Sequence, residues 1–170
     1  MSYNSVKPST NKLNVTGVIL LPLLFFTLSG FLFVDNTGAK QDVPFKASFK
    51  TQLQIMGTPP VQPVRSAGPG IASHLGRAEF EANSTVNFTV QPAQINGIAT
   101  ITAANGDSFT TSFSGTSSPN GDGTATGHFT HTITGGTGRF SNISGTLTGV
   151  SLHNLSTNVG TLELFGSIDY

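Results

Sequence analysis

The sequence predicts an all-β fold: an eight-stranded antiparallel up-and-down barrel, with a two-sheet sandwich as the runner-up. Three observations predict it. Stretches of alternating apolar and polar residues follow one another from Phe45 to Tyr170, short turns rich in Gly, Asn, Asp and Ser separate most of them, and no amphipathic helix interrupts the series. Strands joined in simple succession close into a barrel without leaving an exposed sheet edge.

A different kind of segment comes first. Gly17 to Val34 is an uncharged apolar run, preceded by Lys7 and Lys12 and followed by Asp35. That order matches a secretory signal, with Thr37, Gly38 and Ala39 supplying small residues for cleavage before Lys40. The run is also at the lower limit for crossing a bilayer, so the alternative is an uncleaved amino-terminal anchor. In either case the basic side stays in the cytoplasm and residues 40–170 form a single exported barrel domain: extracellular, periplasmic or at the cell surface.

The strands follow in order. Phe45, Ala47, Phe49, Leu53 and Ile55 share one face of the first strand, and Thr51 is the one polar residue among them. Residues 57–70, carrying Pro59, Pro60, Pro63 and Pro69, read as the longest loop, a lid or spacer. Residues 71–82 and 84–91 then read as two strands, the second with Val86, Phe88 and Val90 on one face. The strand 94–104 ends at Asn105-Gly106, a strong hairpin signal, and 107–116 returns with Phe109 and Phe113 inward. A turn over 117–123 leads to 124–134, where Ala125, Phe129, His131 and Ile133 oppose a threonine-rich face. Gly135-Gly136-Thr137-Gly138-Arg139-Phe140 is the most sharply punctuated turn, and no helix follows to make it a phosphate loop. The strands 143–153 and 161–170 complete the set.

Composition narrows the function. Charged residues are 9 % of the chain, eight basic against eight acidic, which excludes the electrostatic footprint of a nucleic-acid or anionic-surface binder. Such low charge also favours self-association, so a homo-oligomer is expected. There is no cysteine, hence no disulfide, thiolate metal site or cysteine nucleophile. The four histidines, His74, His128, His131 and His153, show no metal-ligand spacing, and no metal or other cofactor is expected. Ser73-His74 with Asp107 lacks a nucleophile elbow, and Glu79 with Glu81 reads as a solvated pair, so no catalytic residue is assigned. Asn-X-Ser/Thr sequons at Asn83, Asn87, Asn142 and Asn154 matter only in a glycosylating pathway.

Ser73-His74-Leu75-Gly76-Arg77, Ala103-Ala104-Asn105-Gly106-Asp107 and the Gly135–Phe140 turn, together with the leader, resemble small exported bacterial proteins of unknown function. The Gly-rich turn is similar to that of dirigent proteins and of allene oxide cyclase barrels, which belong to the calycin-like architectures. The resemblance implies an eight-stranded barrel around a mostly apolar cavity. Those enzymes cyclise an unsaturated fatty-acid epoxide or steer phenoxy-radical coupling, but their acidic and basic cavity residues have no counterparts in this chain.

The candidate ligand-binding set is therefore His74, Arg77, Asp107 and Arg139 as a polar mouth, with Phe109, Phe113 and Phe129 beside the apolar part of a small hydrophobic ligand. His131, on an apolar face, joins them as a core or ligand-facing histidine. The expected function is a non-catalytic binding or extracellular interaction module. The alternatives are a cofactor-free cyclase or isomerase acting in the cavity, and a self-associating structural surface protein.

Overall fold

The computed structural model describes residues 41–170. The leader and the boundary at residues 39 and 40 lie outside the described residues. Eight strands follow one another: β1 (Val43–Ile55), β2 (Val61–Ala72), β3 (Gly76–Asn87), β4 (Ala93–Ala103), β5 (Ser108–Pro119), β6 (Thr124–Gly136), β7 (Ser144–Asn154) and β8 (Val159–Asp169). A single 3₁₀ turn, Gly138–Phe140, links β6 to β7. Each strand pairs antiparallel with the next and β1 pairs with β8, so the sheet is a closed barrel and not a sandwich.

The strand count agrees with the sequence reading, but two strands arise differently. The proline-rich stretch is β2, not a lid or spacer. A proline in a strand removes one ladder donor, and β2 accommodates two of them where the ladder does not need one. Pro63 lies beyond Ile55↔Val64, the last β1–β2 pair, and Pro69 falls in the break between Phe49↔Gly70 and Gln52↔Ala67. At that break the β1 backbone crosses so close that a β carbon on Gly68 would collide with the Lys50 carbonyl oxygen. Residues 76–87, divided in the sequence reading between two strands, form the single strand β3, and Ser73-His74-Leu75 is the turn before it.

The strand ends define the two ends of the barrel. The start of β1, the β2–β3, β4–β5 and β6–β7 connections and the end of β8 lie at one end; the β1–β2, β3–β4, β5–β6 and β7–β8 connections lie at the other. The first end is closed by its own side chains. Phe45, Phe109 and Phe140 are at most 1 % exposed and meet edge to face, with ring centroids 5.7 and 6.0 Å apart. Ile101, Leu147, Leu164 and Ile168 are equally buried around them.

The Gly135–Phe140 turn drives Phe140 into this plug. Opposite Thr110 and Thr111 the register shifts, so Thr134 is an extra residue that bends β6 towards the turn. Gly138, at φ +57°, packs where a β carbon would strike the Asp107 carboxylate. Outside, the wall is made polar by Lys46, Lys50 and many Ser and Thr residues.

Candidate functional site

The other half of the barrel is hollow. A cavity of about 220 Å³ opens at the β1–β2, β3–β4, β5–β6 and β7–β8 end. Its floor is set by the inward rings of Phe80, Phe113, Phe129 and His131, above which the inward residues shrink to Ala82, Ala93, Ala125 and Ser151. Small side chains on several neighbouring strands leave space that the closed sheet cannot collapse to fill.

The walls differ in chemistry. Val64 on β2, Phe80, Ala82 and Val86 on β3 and Ala93 and Ile95 on β4 make one side mostly apolar, with Gln62, Ser66 and Ser84 as its polar members. The facing side, on β6 and β7, carries His131, Ser151 and His153. Threonine hydroxyls on other strands hold both rings: Thr111 Oγ1 is 3.0 Å from His131 Nδ1, and Thr51 Oγ1 is 2.9 Å from His153 Nε2. The His131 ring stacks on Phe113 at 4.8 Å, and its Nε2 edge lies over Gly149, where the missing side chain makes room for it. Burial holds the His131 pKa down to about 4 and lowers that of His153. Both rings are therefore uncharged at neutral pH. No Asp, Glu, Lys or Arg lines the cavity, so its whole surface is electrically neutral there.

The eight residues proposed from the sequence divide between the two ends. Phe113, Phe129 and His131 line the cavity. His74, Arg77, Asp107 and Arg139 sit around the closed end, and Phe109 is sealed between the two groups with no exposed surface. The structure thus does not bring the polar four to the mouth. Phe109 and Phe113 are four strand residues apart, about 13 Å, which puts the charged set a full barrel layer beyond the cavity floor.

At the closed end these four have structural partners. His74, in a left-handed conformation at φ 65°, lies 3.0 Å from the Pro44 carbonyl through Nε2, with its ring 5.7 Å from that of Tyr170. Asn105 Nδ2 donates to Asp107 Oδ2 (2.9 Å), and the Asp107 N–H donates to Asn105 Oδ1 (3.2 Å), which fixes the Asn-Gly turn. Arg139 Nε is 3.5 Å from Asp107 Oδ2, and its guanidinium carbon is 4.9 Å from the Phe140 ring centre. Both partners of that ion pair reach solvent, so it clips the turn with no more than about 1 kcal/mol. Arg77 is exposed on the outer wall, and its carbonyl accepts the Ala104 N–H.

Sequence reasoning missed His153, Ser151 and the β2 residues Gln62, Val64 and Ser66. The β2 residues were hidden by the prolines. On β7, Val150 and Leu152 are the more apolar alternation and suggest the inward face, yet Leu152 is 48 % exposed while Ser151 and Gly149 are buried. The usable signal was continuity with Leu147, which is buried and fixes the odd-numbered residues inward. Among the described residues no cluster of His, Cys, Asp or Glu could hold a metal ion. No protein-family model, no curated protein and no solved structure matches this chain.

Proposed function

We propose that this chain is an exported, non-catalytic binding module that holds a small, uncharged and mostly apolar molecule in the open half of its barrel. The observation that carries this reading is the cavity, open at one end and without a charged side chain in its lining. An ion entering it would exchange water for a neutral wall at a cost of several kcal/mol, whereas an apolar molecule gains about 25 cal/mol for each Å² it buries. The hydroxyl of Ser151 and the two threonine-held imidazoles on one side, with Gln62, Ser66 and Ser84 on the other, add hydrogen-bonding capacity to a mostly apolar lining, which suits an apolar ligand that carries a hydroxyl or carbonyl. At about 220 Å³ the cavity is smaller than the roughly 300–1,000 Å³ of drug-sized pockets, so the ligand is small or enters only in part.

One observation favours a second reading, a cofactor-free cyclase or isomerase: His131 is a desolvated ionisable group against the cavity. A ring that takes up a proton only near pH 4 is a weak general base at neutral pH, so its geometry serves hydrogen bonding better than proton abstraction.

Native mass spectrometry of protein purified from its own source should show a bound small molecule. In parallel, the neutral dye N-phenyl-1-naphthylamine should gain fluorescence on binding. Ala125→Phe, which places a ring inside the cavity, should weaken the dye at least about tenfold with the melting temperature retained. A parent protein that carries nothing and takes up no dye defeats the binding reading.

A further inference from the structure

Most of the large apolar side chains that reach solvent gather at the open end of the barrel; of the others, Ile71 lies at the closed end, and Ile98, Leu152 and Phe165 lie along the outer wall. Ile55, Met56 and Val61 stand at the β1–β2 connection, Phe88 and Val90 at β3–β4, and Leu155 and Val159 at β7–β8, each between 42 % and 52 % exposed. Three of the four connections at this end thus present large apolar side chains to water, around the mouth of the cavity. The turn residues His74, Asp107 and Arg139, with Arg77 at the start of β3 and Asp42 and Asp169, lie at the other end, whereas Asp122 is the one Asp, Glu, Lys or Arg in the four connections at the open end. Scattered exposed apolar residues are ordinary on a soluble protein, but a ring of them on successive loop tips marks an interaction surface.

We propose that this ring is a docking surface for the uncharged interior of a lipid bilayer, into which the three apolar connections dip with the cavity mouth facing the membrane. The fourth connection, β5–β6, selects a lipid surface over a second copy of the chain. Asn120-Gly121-Asp122-Gly123 is polar, and Asp122 accepts the Thr124 N–H (3.0 Å) and hydroxyl (2.5 Å). These bonds stabilise its carboxylate. An end-to-end dimer would press that carboxylate against the partner's ring and strip its water. On a bilayer a tilt of the barrel leaves Asp122 in water while the other three connections enter. No Lys or Arg occupies residues 55–61, 88–92, 120–123 or 155–159, so the surface fits lipid without anionic headgroups. The proposal stands on the exposed ring and goes beyond the ligand reading; it adds a second membrane contact to the one expected of the leader.

The absence of tryptophan makes the test site-specific. Full-length chains carrying either Val90→Trp at the ring or Phe165→Trp on the outer wall are mixed with phosphatidylcholine vesicles. The V90W emission should move to shorter wavelength and be quenched by brominated lipid, with F165W unaffected. Insertion of residues 17–34 would attach both chains to vesicles without separating the two reporters in this way. Met56→Asp, which leaves the cavity lining intact, should weaken the V90W response roughly tenfold while dye uptake is retained. The proposal is overturned if V90W does not respond to vesicles, if both reporters respond alike, or if V90W shifts without lipid as protein concentration rises, the mark of a second copy.

Discussion

Phe109→Ala should lower the unfolding free energy by about 3–5 kcal/mol, read from chemical denaturation. The ring has no exposed surface and sits between Phe45 and Phe140, so its removal leaves a void in the plug of the closed end. The surrounding strands are paired on both sides all the way round, and they cannot move inward without breaking ladders, which keeps the void open. Phe129→Ala provides the contrast. That ring is only half-buried and already borders the cavity, so its loss enlarges an existing space and should cost clearly less. Equal losses at the two positions would show that the barrel is not divided into a filled and a hollow half.

Acid should destabilise the protein through His131. Its pKa in the folded chain is about 4, against about 6.5 when unfolded, so between these values the unfolded chain binds a proton that the folded chain does not. The neutral ring's contribution is complete above pH 6.5 and is lost as pH falls towards 4. The loss reaches up to about 3 kcal/mol, at 1.36 kcal/mol per pH unit. His153, lowered by burial in the same direction, adds to the slope, whereas Asp122 acts below its ordinary value near 3.8 and leaves this window alone. His131→Gln, measured from pH 4 to 8, should flatten most of the curve. An unchanged slope would mean that the ring is solvated in the folded state.

Both expectations turn on residues that the sequence marks unequally. Phe109 and His131 were placed inward by the face they share: Phe109 with Phe113 opposite a Ser and Thr face on β5, and His131 with Ala125, Phe129 and Ile133 opposite a face of threonines and His128 on β6. Thr51 stood out as the polar exception on an otherwise apolar face, and it is buried against His153. Its partner was not legible, since the two are separated by 102 positions and meet only through the β7–β8–β1 arrangement.

The sequence by itself determined an all-β chain, most of the inward faces and the near absence of charge from the interior. These follow from alternation and composition, which act within a few residues. The total of eight strands matched because the missed β2 was offset by the division of β3 into two. Tertiary structure decided the rest. It made a strand of the proline-rich stretch, because only the finished ladder shows that Pro63 and Pro69 fall where no donor is needed. It turned Ser151 inward in place of Leu152, because strand register follows the neighbours and not the local hydrophobic preference. It also separated Arg139 and Asp107 from the cavity, because barrel closure sends alternate connections to opposite ends. The Gly135–Phe140 turn, most conspicuous in the sequence, seals the end that binds nothing in this proposal, and the cavity opens among the turns at the other.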